Sequence, residues 1–258
     1  MDDELRTTDE VSSAGAPRRT RPVIAIDGPA GAGKSTLAAH LARRFGFLNL
    51  ETGAMYRALA LKAIECDLDF DEEGPLLALA SDTRIQLEPH AEGNRVLLDG
   101  IDVSRRIRES DVTSAASRVS VHPRLRAWMV DQQRKLGANG GVVMEGRDIG
   151  TTVFPDAEVK IFLDAAPEVR SNRRFRQNLF SPAPRPPEEE MTEQDRLEAQ
   201  LALLEEMRER DRRDRSRAES PLRAAEDAVV LDSTAMELSE VIARAEEIVL
   251  SHLPQQAK

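Results

Sequence analysis

One cysteine, Cys66, stands alone in a chain of 258 residues. No internal disulfide can form, and a reducing compartment fits best; with no basic residue beside it, Cys66 reads as a structural thiol. Aromatic side chains are scarce, with one tryptophan and one tyrosine. Trp128, in "RLRAWMV", reads as a packing residue rather than a platform for stacking a base. Positive charge is also in deficit: the formal charge is −10 and the pI is near 5.1. A general binder of nucleic acid or of a membrane surface is therefore not expected. Any phosphate site must be a local cluster of arginines on an acidic body. No apolar run approaches the roughly 18 residues of a membrane span. The opening "MDDELRTTDEVSSAGAPRRTRP" lacks the apolar core of a signal peptide, and residues 1–20 read as a disordered polar tail. The four histidines, His40, His90, His122 and His252, are scattered without metal-ligand spacing and read as surface or cap residues.

Against these absences stand five short apolar runs, Val23–Asp27, Phe47–Leu50, Gly141–Glu145, Val159–Asp164 and Ala228–Asp232. Runs of this length alternating with helix-compatible sequence predict a buried parallel sheet in an α/β sandwich with right-handed crossovers. Leu37, Leu41 and Phe45 mark one face of the first helix, and Gly46 suits its C-cap. The pattern changes twice. "RIQLEPHAEGNRVLLDGIDVS" (84–104) holds three strand-like pieces and predicts a small antiparallel insert, followed by helices over about 107–120 and 123–136. "FSPAPRPPEEE" (180–190) reads as a mobile connection to a long polar helix, which Pro221 would close. The amphipathic helix at 238–253 should cover the sheet.

The first strand runs into "GPAGAGKS" and then a helix. This matches the G-x-x-x-x-G-K-[ST] pattern at Gly28, Gly33, Lys34 and Ser35. Backbone N–H groups of such a turn and the positive helix end stabilise phosphate, Lys34 would reach the β and γ phosphates, and the Ser35 hydroxyl would ligate Mg²⁺. The implied ligand is a nucleoside triphosphate, with ATP the first expectation; a chance glycine-rich turn is the alternative. What such an enzyme does is decided at the other strand ends, where ligands of open α/β sheets bind. There, "LETGAMYRALA" (50–60) makes Thr52 and Gly53 open a helix, with Arg57 one turn in; this is a second anion site or an ordinary cap with a surface arginine. "MEGRDIGTTVFP" (144–155) ends an apolar strand on Glu145, where a carboxylate that holds metal-bound water belongs, and puts Arg147 and Asp148 on a turn that is either functional or merely solvated. "RERDRRDRSR" (208–217) is either a solvated helix face or a hinged lid that lowers arginines onto a phosphoryl group.

Together, "IDGPAGAGKST", "TGAMYRALA", "EGRDIGTTVFPDAEVKIFLDA" and "RDRRDRSRAESPL" resemble the bacterial cytidylate kinases, a family of nucleoside monophosphate kinases, over about residues 22–250. The resemblance implies a P-loop NTPase-type three-layer α/β sandwich: a five-stranded parallel sheet, a small antiparallel insert in the monophosphate-binding region and a helical lid. It implies a kinase domain over 21–258, with a core of 21–65, 137–170 and 221–258, an insert at about 66–136 and a lid at about 171–220. It implies Mg²⁺-dependent transfer of the γ-phosphoryl group of ATP to CMP or dCMP, by a cytoplasmic monomer acting in pyrimidine nucleotide metabolism, with neither nucleic acid nor membrane as partner.

The same resemblance implies roles for individual residues. Gly28, Pro29, Ala30, Gly31, Ala32, Gly33, Lys34, Ser35 and Thr36 would hold the ATP phosphates, and Thr52 would lie in the CMP site. Arg57, Arg147 and Arg217 would grip the acceptor phosphate. Ser117, Arg126 and Asp148 would read the cytosine, and Asp214 would hold the ribose. Lys34, Arg147, Arg210, Arg213 and Arg217 would act at the transferring group, with Mg²⁺ on Ser35 directly and on Glu145 through water. The residue types suit this chemistry: a carboxylate accepts from the exocyclic amine of cytosine while a guanidinium donates to its ring nitrogen or carbonyl, and uracil reverses that pattern. Three features depart from the family pattern. Glu51 and Glu145 stand where aspartate is common, and the segment 180–190 is longer than in shorter members. Kinases of another acceptor (UMP, AMP or shikimate) and a nucleotide-binding sensor without turnover remain the rival readings.

Overall fold

The computed structural model describes residues 19–90, 93–179 and 192–253. The proline-rich stretch 180–190 and residues 1–18 of the expected tail lie outside the described residues. Arg19, within that tail, is held: its Nη2 donates to Asp156 Oδ1 (2.5 Å), and its guanidinium lies over the Phe154 ring.

A five-stranded, all-parallel sheet forms the centre. Its strands are β1 (Val23–Asp27), β2 (Leu48–Glu51), β6 (Val142–Gly146), β7 (Val159–Asp164) and β8 (Val229–Asp232), in the order β2-β6-β1-β7-β8. Each observed strand lies within one residue of its predicted bounds. β1, with every residue buried, sits in the middle because its "VIAID" run is apolar on both faces. One face packs Ile24, Ile26, Val143 and Ile161 against α1 (Lys34–Phe45) and the C-terminal helix α8 (Leu238–His252), through Leu37, Leu41, Ala245 and Ile248. The other face packs Val23, Ala25, Val142 and Met144 against Val130 of α5 (Pro123–Gly137) and the turn that carries Ile149 and Val153. These are the three layers. Gly46 takes the left-handed conformation (φ 65°) that ends α1.

A second core belongs to the insert. α2 (Thr52–Glu65), α3 (Glu73–Ser81), α4 (Ser110–Val119) and α5 bury Leu59, Leu76, Val112, Leu125 and Met129 together, with Trp128 packed on that cluster. The antiparallel sheet β3 (Ile85–His90), β4 (Gly93–Leu98) and β5 (Ile101–Asp102) lies beside it, in the 84–104 stretch that predicts it.

Two boundaries differ from expectation. The helix predicted from about 107 begins at Ser110, because Arg106–Arg108 form a separate 3₁₀ turn and Glu109 is extended (ψ 156°). The long helix α7 (Glu193–Ser216) ends five residues before Pro221: Arg217 leaves helical geometry (ψ 138°) and turns its guanidinium to Asp214 and to the Ser220 carbonyl. α6 (Pro167–Leu179) links β7 towards this helix and packs on it.

Candidate active site

All five strands run the same way, so the chain segments that leave their carboxyl ends share one edge of the sheet. There Asp27 passes into the glycine turn, Glu51 into α2 and Gly146 into Arg147. The strand order reverses across β1, which leaves a crevice above it.

The turn itself needs glycine at its first position. Gly28 has φ 147°, and a Cβ there would fall 1.9 Å from the Leu163 carbonyl oxygen. Gly28→Ala is expected to cost more than about 4 kcal/mol, as urea denaturation would measure it. A loss below about 1 kcal/mol would mean that the loop relaxes around the methyl group. After this turn Lys34, the first residue of α1, is buried and its Nζ donates to the Pro29 carbonyl (2.8 Å). Burial, reinforced by Arg147 and Arg210, pushes the ammonium down to about 7. The next residue, Ser35, donates to Glu145 Oε1 (2.8 Å). Thr52 Oγ1 donates to the Glu145 carbonyl (2.8 Å), which ties α2 to the end of β6.

Four arginines surround this point. Arg147 Nε donates to Asp214 Oδ2 (2.9 Å), and Arg217 Nη1 lies 3.6 Å from Asp214 Oδ1. Burial alone would raise the Asp214 carboxyl, but Arg147, Arg217 and Arg210 hold it below the usual carboxylate range. Arg210, deep in the cluster beside Arg147 and Arg57, is itself pushed down to about 10 by burial first and by those two cations next. Arg57 is paired with Glu51, whose other oxygen lies 4.0 Å from Arg108. This is a dense set of cations with few counter-charges, which is a place for a polyanion. Arg213, also expected here, has its Nε 3.9 Å from Glu209, one turn back on α7, and that Nε is buried without a hydrogen-bond partner.

Beside the arginines lies a different surface. Arg126 (3% exposed) donates through Nη2 to Asp148 Oδ2 (2.6 Å) and through Nη1 to the Ser120 carbonyl (3.0 Å), with its guanidinium over the Tyr56 ring at 5.6 Å. Ser117, also buried, has a hydroxyl with no hydrogen-bond partner. A donor fork, a carboxylate and an uncommitted hydroxyl thus stand next to a phosphate-sized cation cluster.

On the far side of the glycine turn, a groove of about 920 Å³ is lined by Asp164, Arg170, Arg208, Arg212, Arg215 and Thr234, among others. Arg170 in its wall is a residue that the sequence did not single out. It is 2% exposed and donates to Ala30 of the turn (2.9 Å), to the Ala165 carbonyl (2.7 Å) and to Asp211 of α7 (2.6 Å). It therefore joins the turn to the arginine helix. Its only signal was an arginine in the first turns after β7; its role depends on where β7 sits.

Among the described residues no cluster of three or more His, Cys, Asp or Glu is placed to hold a metal, and no helix is long and apolar enough to cross a membrane. His40 pairs with Glu246 (2.6 Å), His122 stands at the N-cap position of α5 with its ring Nε2 2.7 Å from the Phe70 carbonyl oxygen, and Cys66 is exposed and unpaired.

The chain is similar to known proteins of one family. The family model described as cytidylate kinase matches residues 24–251. The cytidylate kinase of Geobacillus kaustophilus (strain HTA426) is 47% identical over 231 residues, which cover 90% of this chain and 97% of that one. That of Aeromonas salmonicida (strain A449) is 45% identical over 237 residues, 91% of this chain and 95% of the relative. That of Vibrio cholerae serotype O1 is 43% identical over 233 residues, 90% and 97% respectively.

Proposed function

The chain belongs to the cytidylate kinase family, and we propose that the cluster around Lys34, Arg147 and Asp148 is where it moves the γ-phosphoryl group of ATP to CMP or dCMP. The observation that carries this assignment is the buried Arg126–Asp148 pair (2.6 Å) set beside the Arg147–Asp214–Arg217 group. The first has the donor and acceptor pattern that cytosine complements; the second has the charge that a nucleotide phosphate needs. Ser117, with its unpartnered hydroxyl, completes the base contacts.

On the donor side, Gly28 to Thr36 cradle the phosphates, and the groove past Arg170 takes the donor nucleoside. Lys34 supplies charge to the β and γ phosphates. Ser35 and Glu145 offer hard oxygen atoms 2.8 Å apart at the mouth of the cradle. They fit Mg²⁺, which keeps several waters and is otherwise held by substrate phosphates. Held by Ser35, and by Glu145 through water, the ion would neutralise charge on the β and γ phosphates. The acceptor side is built by Thr52, Arg57, Arg147 and Arg217, with Asp214 holding the ribose hydroxyls and aligning two of those arginines. Arg210 stands between the two halves and meets charge that develops on the transferring group. Arg213, whose buried Nε has no hydrogen-bond partner, is assigned with Arg210 to the same transferring group. No side chain needs to act as a nucleophile, so the transfer is direct.

The core, the insert and the α6–α7 unit correspond to donor site, acceptor site and lid of a monomeric enzyme, and closure would exclude water as a competing acceptor. The lone, unpaired Cys66 supports a reducing, cytoplasmic setting.

The test is ADP release from Mg·ATP with CMP, dCMP, UMP, AMP and shikimate in turn, against a control without acceptor. Strong turnover with CMP and dCMP, weak turnover with UMP and none with the others is expected. Comparable turnover with UMP or AMP would refute the roles given to Arg126 and Asp148. No turnover above the control would leave a nucleotide sensor.

A further inference from the structure

Asp27 ends β1 and immediately precedes Gly28, the first residue of the phosphate cradle. It is 5% exposed, and it is not spent on the cradle. Its Oδ1 accepts the backbone N–H of Ile149 (2.8 Å) and its Oδ2 that of Gly150 (2.7 Å). These two groups open the π-helical turn Ile149–Val153, whose later N–H groups find carbonyls inside the turn: Thr152 and Val153 donate to Asp148 (2.9 and 3.1 Å), and Phe154 to Ile149 (2.7 Å). The first N–H groups of any helical turn have no such partner. Here no side chain at the turn's own start caps them. The cap comes from a different strand, 122 residues earlier in the chain.

The two residues just before the capped pair are Arg147 and Asp148. One is assigned above to the acceptor phosphate and the other to its base. A single buried carboxylate thus holds the acceptor-reading turn against the first residue of the donor cradle. We propose that Asp27 is a positioning residue for phosphoryl transfer: it sets Arg147 and Asp148 in register with the donor phosphates by capping the turn after them. It touches no reacting atom. Its two hydrogen bonds add to the β1–β6 ladder, which pairs Asp27 with Gly146, and tie the turn that follows Gly146 to the start of the cradle. The proposal rests on the acceptor assignment above.

Two variants probe the clamp from opposite sides. Asp27→Asn keeps the shape but presents an amide N–H to one of the two backbone N–H groups; it also alters the charge near Lys34, which contributes to the field at Asp27. Gly150→Ala changes no charge. Its new Cβ would lie 3.3 Å from Asp27 Oδ2 and 3.2 Å from Lys160 Cδ, so the clamp must open by a few tenths of an ångström. KM for CMP, KM for ATP and the ratio of kcat/KM for CMP over UMP should be measured for both, with Asp148→Asn as reference and melting curves to set the folded fraction. For Asp27→Asn, KM for CMP should rise about tenfold and the CMP/UMP ratio fall about tenfold, with KM for ATP within about threefold of wild type. Gly150→Ala should move the same two quantities the same way by about threefold, and it decides the matter if Asp27→Asn does not fold. A purely structural role would lower the melting temperature and leave the CMP/UMP ratio of the folded fraction unchanged, which overturns the proposal. An equal rise in both KM values also overturns it. If Asp148→Asn itself leaves the ratio unchanged, the acceptor assignment fails and the proposal falls with it. If Asp148→Asn collapses the ratio and neither clamp variant does, the proposal alone is wrong.

Discussion

Lys34→Met lowers kcat for CMP phosphorylation about 10³-fold while the melting temperature of the nucleotide-free protein holds or rises. The two effects have opposite signs because Lys34 is a buried cation whose cost Glu145 and Asp27 offset only in part until the phosphates of the substrate arrive. In the protein alone its Nζ has the Pro29 carbonyl for a hydrogen bond, and burial with Arg147 and Arg210 nearby pushes it down to about 7. Removing that charge relieves a cost of the fold. Once a triphosphate lies in the cradle the balance inverts. The same ammonium then makes a charge-assisted bond in a site shielded from water, and loss of one such donor costs about 10²- to 10³-fold or more in rate. Methionine is chosen because it fills the same volume without a charge. Steady-state ADP release and scanning calorimetry check both halves. A fall in melting temperature of several degrees together with kcat would show that Lys34 supports the fold. A rate loss below tenfold would remove it from the chemistry.

Asp148→Asn is expected to bring the preference for CMP over UMP, in kcat/KM, from roughly 10²- to 10⁴-fold down to within about tenfold. The wild-type figure follows from two mismatches. Uracil sets a carbonyl against the Asp148 carboxylate and a ring N–H against the Arg126 guanidinium, and each unpaired buried polar group costs about 1–3 kcal/mol. Asparagine relieves the first mismatch, because its amide can donate to the uracil carbonyl, and keeps an oxygen for Arg126. Discrimination therefore falls mainly through a gain for UMP, whereas a general loss of activity would lower both substrates alike. Parallel assays with the two nucleotides separate these outcomes. An unchanged ratio would mean that the Arg126–Asp148 pair stabilises the α5 interface instead of reading a base.

Much of this site was legible in the chain because its parts are local. The cradle is one unbroken stretch, and its glycines, lysine and serine have to be consecutive to turn a strand into a helix N-terminus around phosphate. Arg147 and Asp148 were legible because they follow an apolar strand directly. Arg210, Asp214 and Arg217 were legible only through the family pattern; by themselves they stood in a charge run that a solvated helix shows equally well.

Asp27 and Arg170 were not legible. Each is a polar residue whose partners are 122 and 140 positions away, on Ile149 and Ala30. No periodicity or spacing records such a pair, because which loops meet depends on the order in which strands lie in the sheet. By itself the sequence determined the sheet strands, the phosphate cradle and the family, because backbone turns, apolar runs and short motifs are set by neighbouring residues. Only the tertiary structure decided which arginines share Asp214, that Arg126 and Asp148 form a buried pair, and that Asp27 at the end of β1 caps the turn at Ile149 and Gly150. Those depend on β6 and β7 flanking β1, which brings distant carboxylates and cations into a space from which water is largely excluded.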